Sequence, residues 1–191
     1  MRSVPLAYLL TWTAYGTWLP GDQRGWVMRR HGFQLPNPPV ERRARKTMVE
    51  PMCELDCSQR MCVQDAIRRH CGLRGWRLHA VNCRSNHVHV VVTAQNVPPN
   101  KVIAQLKAWC TRELKARGAS EGNISEGQPP SGSASEGQSS TRSTIADQSD
   151  TSGDGTVIIE RRNWWTERGS VRWLFDEASV KAAIQYVVEG Q

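Results

Sequence analysis

The segment WRLHAVNCRSNHVHVVVTA, residues 76–94, decides the architecture. Trp76 to Asn82 reads as one strand and His87 to Ala94 as a second, and the polar turn Arg84-Ser85-Asn86 between them predicts a β-hairpin. Side chains alternate across a strand, so His87 and His89 must share one face while Val88, Val90 and Val92 point the other way, toward a core. Two imidazoles on alternate positions lie about 7 Å apart and can close on one cation from a single side. The plain alternative is a pair of polar residues on a solvated sheet face.

Outward from the hairpin the pattern remains readable. Val4 to Tyr15 is rich in β-formers and predicts a strand that runs into a turn-rich loop bearing Gly16, Pro20, Gly21 and Gly25. Residues 32–40, with Pro36, Pro38 and Pro39, read as irregular. A helix is expected between Glu41 and His70, best defined over Ser58 to Cys71 and stopped by Gly72 and Gly75. After the hairpin, Val102, Leu106, Trp109, Cys110 and Leu114 form the stripe of a helix that starts at Pro98-Pro99 and ends near Arg117. Val157 to Ile159 and Val171 to Phe175 are short strand candidates, and a last helix starts at Asp176 as N-cap and ends at Glu189, before Gly190. This order of elements predicts an α+β fold, a ferredoxin-like antiparallel sheet with helices packed on one face.

A chain of 191 residues suffices for one domain with a substantial core. It has no apolar run long enough to span a membrane, and Val4 to Leu10 is too short for a signal-peptide core, so a cytoplasmic (bacterial) location is expected. The six cysteines form no CxxC pair and are expected to be reduced; Cys53, Cys57 and Cys62 lack the paired spacing of a structural zinc site. From Gly118 to Thr156, Ser and Gly supply 17 of 39 residues and no aromatic occurs, which predicts a disordered insertion dividing one domain into 1–117 and 157–191. With the net charge of +7 on the whole chain and −5 on this stretch, the remaining 152 residues carry +12. So basic a domain suits a polyanion, and nucleic acid ranks ahead of an anionic membrane because no basic amphipathic helix with a bulky apolar face is evident.

Tyrosine occurs only at 8, 15 and 186. On the last helix Val180, Ile184 and Val187 make one apolar stripe, and Tyr186 falls about 100° away from Val187. Such a phenol is available for reaction; it could equally pack at the edge of the core with its hydroxyl in water. Tryptophans interleaved with arginines suit a single strand held by base stacking and phosphate contacts, with Trp18 and Trp26 expected to be exposed in the Gly-rich loop and Arg24 and Arg172 among the phosphate contacts.

The segment His79 to Val92, with two histidines flanking one hydrophobic residue on a strand, resembles the signature of the HUH single-tyrosine transposases of insertion sequences and REP elements. The stretch Leu9 to Gly21, the helix around Leu106 to Thr111 and the tail Arg172 to Gln191 are similar to a bacterial subgroup of them. The resemblance implies an HUH endonuclease fold in which His87 and His89 bind Mg²⁺ or Mn²⁺. It implies that Tyr186 attacks a phosphate of single-stranded or hairpin DNA, leaving a 5′-phosphotyrosine and a 3′-hydroxyl, in DNA transposition or hairpin processing by a homodimer. A third metal ligand, Gln or Asn, commonly stands four residues after that tyrosine; here the place is Gly190, so Gln191 or Glu189 is expected to serve. Two other functions stay open at this point: a domesticated or truncated DNA-binding protein that does not cleave, and a metal-dependent phosphoesterase that uses water.

Overall fold

The structure, a computed structural model, describes residues 4–28, 30–122 and 161–189. Its main sheet contains β1 (Ala7–Thr13), and the loop after it carries a small hairpin of β2 (Trp26–Met28) and β3 (Gly32–Gln34). Then follow α1 (Pro38–Lys46), α2 (Cys57–Leu73), β4 (Arg77–Cys83), β5 (His87–Thr93), α3 (Pro99–Gly122), β6 (Ser170–Leu174) and α4 (Glu177–Glu189). The four long strands lie in the order β4-β5-β1-β6, every neighbouring pair antiparallel. The ferredoxin-like arrangement expected from the element order is therefore present, with β1 central and the histidine strand beside it.

Alternation along the strands divides the apolar residues between two faces. Leu10, Trp12, Val88, Val90 and Val92 join a large core with Val63, Ala66 and Ile67 of α2 and Val102, Leu106 and Cys110 of α3. Ala7, Ala80, Val91 and Leu174 point the other way and meet Ala183 and Val187 of α4. Helices on a single face describe α2 and α3 but not α4, which covers part of the opposite face because its Val180-Ile184-Val187 stripe needs an apolar partner that only Val91 and its neighbours offer. Asn82 holds the helix from the strand side, its Nδ2 donating to the Val187 carbonyl at 2.8 Å. At the other end Asp176 caps α4, accepting the Ser179 amide at 2.8 Å.

Three local expectations are corrected. The proline-rich stretch is not irregular throughout: Asn37 caps α1 by accepting the Val40 amide, and Pro38 and Pro39 occupy the first helical positions, where a missing N–H costs nothing. The Gly-rich loop also contains a hairpin, pairing Trp26 with Gln34 and Val27 with Phe33, in segments too short to show a strand period. Helix α3 continues past Arg117 into the Ser/Gly-rich stretch as far as Gly122. The rest of that stretch, the strand expected at Val157 to Ile159, and Gln191 lie outside the described residues. Among the described residues no helix is long and apolar enough to cross a membrane.

All six cysteines are free thiols. Burial pushes Cys71 up to about 11 and Cys83 to about 12, so neither forms appreciable thiolate at neutral pH and both behave as small core residues. His70 on α2 is a buried polar exception, its ring between Trp76 and Trp109 at centroid distances of 5.4 and 5.0 Å and its Nε2 bonded to Gln105 Oε1 at 3.3 Å. Burial holds its pKa below the usual histidine value; Gln105 opposes the shift, and nearby Arg74 and Arg112 reinforce it.

Two consequences can be measured. Leu106→Ala removes a fully buried side chain between α3 and the sheet and should lower the unfolding free energy in urea by about 2–5 kcal/mol. The depressed pKa of His70 means that the unfolded chain takes up a proton near pH 6.5 while the folded chain does not, so stability should fall as the pH drops through that value. His70→Gln should make urea midpoints between pH 7 and 5.5 less pH-dependent. A residual slope of the same sign should remain from His79, whose pKa burial and Arg77 also lower.

Candidate active site

The site is assembled on the sheet face opposite the large core. Because β1 and β5 pair in the register Thr11 to His89 and Thr13 to His87, the two threonines lie beside the two histidines on that face. His87 and His89 come together with ring centroids 4.7 Å apart and nearly perpendicular planes. The Thr11 hydroxyl lies 2.8 Å from His89 Nδ1. His87 Nδ1 donates to Asn86 Oδ1 at 2.6 Å, which assigns the proton to Nδ1 because an amide oxygen only accepts. Each ring is thus oriented through Nδ1 by a fixed oxygen, the arrangement in which an imidazole presents Nε2 to a metal.

Helix α4 brings the third group. Tyr186 sits on the flank of the buried stripe, next to fully buried Val187, and its ring packs edge-on against His89 at a centroid distance of 5.4 Å. His89 is 5% exposed beneath it, whereas Tyr186 is 45% exposed, so the phenol is open to a ligand and the imidazole is sheltered. The sequence separates Tyr186 from the histidines by almost 100 residues; the register of β5 and the docking of α4 place them side by side.

The other expected residues fare differently. Glu189 is exposed and its carboxylate accepts from Gln185 Nε2 at 3.0 Å, one turn back on the same helix. Gln191 is outside the described residues. Among the described residues no three His, Cys, Asp or Glu side chains converge as a metal site, so the donor set there is the two imidazoles. Trp18 is 43% exposed, as expected, but Trp26 is only partly exposed and its indole N–H is buried, because Trp26 opens the β2–β3 hairpin instead of lying in an open loop. Arg24 is half exposed and engaged within its own loop. Its Nε and Nη2 donate to the two Asp22 carboxylate oxygens at 2.8 Å each, and Nη2 also reaches the Thr17 carbonyl. Arg172 is exposed on the edge strand β6, in register with Leu9 and on the histidine face.

Sequence reasoning missed Thr11, Asn86 and Asn82. Thr11 could be found only from the β1–β5 register and Asn82 only from where α4 docks. Asn86 adjoins His87 in the chain, and its amide was a signal available from the start.

Comparison with known proteins bears on this site. A family model described as "Transposase IS200 like" matches residues 45–126, a span that holds α2, β4, β5, both histidines and all of α3 and stops short of Tyr186. No curated protein matches the chain. Among solved structures, a proposed transposase from Deinococcus radiodurans R1 is similar at 14% identity over 98% of this chain and 92% of that one, with a TM-score of 0.40, too low to argue from. The sequence match and the histidine strand agree, and over residues 45–126 this chain is similar to the IS200-like transposase family.

Proposed function

We propose that the chain is a DNA-processing enzyme that nicks single-stranded DNA and transfers the strand through a covalent link to Tyr186. The observation that carries this reading is the packing of the Tyr186 ring on His89, itself beside His87, since a nucleophile and a pair of metal-binding imidazoles are of use together only at one phosphate. The family match over residues 45–126 supports the coarser statement, a transposase role.

The chemistry follows from the residues. A neutral phenol is a weak nucleophile and needs the charge that develops on the phosphate to be stabilised. His87 and His89 would hold a divalent cation, Mg²⁺ or Mn²⁺ as the resemblance implies, with Asn86 and Thr11 fixing the rings and water or phosphate oxygens completing the set. Such an ion, when bound, supplies Lewis-acid stabilisation of that charge. Tyr186 Oη forms the new bond to phosphorus while the bond to the 3′ oxygen breaks. The phenolic proton leaves to solvent and the departing oxygen takes one up, leaving a 5′-phosphotyrosine and a 3′-hydroxyl. Because one phosphodiester replaces another, the link retains the energy needed for rejoining to a second strand. The half-exposed phenol lets a strand approach, and the sheltered His89 keeps bulk water from one side of the site.

A denaturing gel tests the reading. With Mn²⁺ and a labelled, hairpin-bearing single strand, the wild type should give a covalent adduct, Tyr186→Phe should give none, and His87→Ala should lose cleavage while still shifting DNA. Cleavage that survives Tyr186→Phe would show a water-using phosphoesterase instead. Salt-sensitive binding with no adduct from the wild type would show a DNA-binding protein without cleavage. Thr11 is a positioning residue in this account, so Thr11→Val should reduce the rate of adduct formation about 10–100-fold and leave DNA affinity unchanged. Equal loss of affinity and rate would assign Thr11 a merely structural role.

A further inference from the structure

The segment between β1 and α2 is not used by the mechanism above, yet it is organised. The chain leaves β1 at the histidine end of the sheet, where the Ala14 amide and the Thr17 hydroxyl both donate to the Asn86 carbonyl, at 2.8 and 3.1 Å. It is pinned there to the residue whose side chain orients His87. It then turns at Gly21 and Gly25, both in the left-handed region at φ 87° and 81°. A Cβ on Gly21 would collide with the backbone of Asn37 and Glu41, so this glycine lets the first turn of α1 pack directly on the loop. A Cβ on Gly25 would overlap the Phe33 ring. The Gly25 carbonyl also accepts the Trp18 indole N–H at 2.7 Å.

Two aromatic rings are therefore held around one glycine at the surface. Trp18 is 43% and Phe33 63% exposed. An aromatic side chain held open to water by a built framework offers a flat face to something flat. The charges around the pair say what. The Arg24 guanidinium lies 5.6 Å from the Trp18 ring, but its charge is balanced by Asp22, so the net positive charge comes from α1. Helix α1 buries no residue, and its exposed face carries Arg42, Arg43, Arg45 and Lys46 against the single acid Glu41. Exposed aromatics beside a basic helix match the chemistry of an unpaired nucleic-acid strand, whose bases stack and whose phosphates are negative. A duplex buries its base faces and could use only the charge.

We infer that residues 16–28 and 30–46 form a single-stranded DNA platform separate from the histidine pair, with bases stacking on Trp18 and Phe33 and phosphates lying along Arg42 and Arg43 of α1. The inference rests on the proposed function for the identity of the ligand as single-stranded DNA. Because the platform is anchored at Asn86, a strand held there is led toward the phosphate-processing end of the sheet.

The test is fluorescence anisotropy of the full chain with a labelled oligothymidylate of about 20 nucleotides, with salt titration. Phe33→Ala should weaken binding roughly tenfold and Phe33→Tyr should restore it, whereas Phe33→Leu should not. Arg42→Gln combined with Arg43→Gln should make the plot of log affinity against log salt shallower by about 1.4, the value for two lost phosphate contacts on a single strand. A duplex of the same length should show the arginine effect without the Phe33 effect. Wild-type affinity in all these variants would overturn the platform and point to a protein partner for the exposed rings, and an equal Phe33 effect on duplex would overturn the stacking. The two proposals fail separately. If Tyr186 gives an adduct and the platform variants bind normally, only the platform falls; if no adduct forms and binding still depends on Phe33, only the strand-transfer chemistry falls.

Discussion

The two-residue alternation along β5 is the constraint on which everything else rests. Val88, Val90 and Val92 must be buried against α2 and α3, and the pleat then forces His87 and His89 onto the other face. A slip of one residue in the β1–β5 register would exchange the faces, placing two imidazoles in the apolar core and three valines in the site. The large core thus acts as the specification of the site, and the cost of burying unsatisfied imidazoles guards it.

Covering the second face is the other half of the design. A sheet with helices on one side only would leave Val91, Ala80 and Leu174 in water; α4 covers them, and in doing so carries Tyr186 to His89. The same packing that buries Val187 and Ala183 therefore sets the position of the phenol, with the Asn82 bond to the Val187 carbonyl fixing the helix near its end. Stability and chemistry share these contacts, so α4 cannot shift without moving the tyrosine.

Charge and aromatics are laid out around this frame. The loop after β1 is tied to the histidine end by hydrogen bonds to Asn86, and segment 47–56 is tied nearby, the Leu55 amide donating to the Ser85 carbonyl. Arg24 is a clasp within the loop: it is bonded to Asp22, whose carboxyl it holds below the usual carboxylate range, and it lies against Trp18. The arginines of α1, among which Arg45 is bonded to Glu41, are exposed and form the more open basic surface.

The hairpin, the shared face of the histidines, the stripes of α3 and α4 and the cap at Asp176 were legible because each is a short-range pattern, imposed by backbone periodicity or by a hydrogen bond between near neighbours. Helix α1 was hidden because prolines read as breakers unless the N-cap before them is recognised. The β2–β3 pair was hidden because each strand is only three residues long. Sequence alone could nominate Tyr186 as off the apolar stripe but not place it, since a wheel gives an angle and not a neighbour. Tertiary structure decided that His89 lies beneath it, that Thr11 and Asn86 orient the rings, and that Arg24 is already engaged. Those are contacts between distant positions, set by strand register and helix docking, which depend on how all the apolar surfaces are satisfied at once.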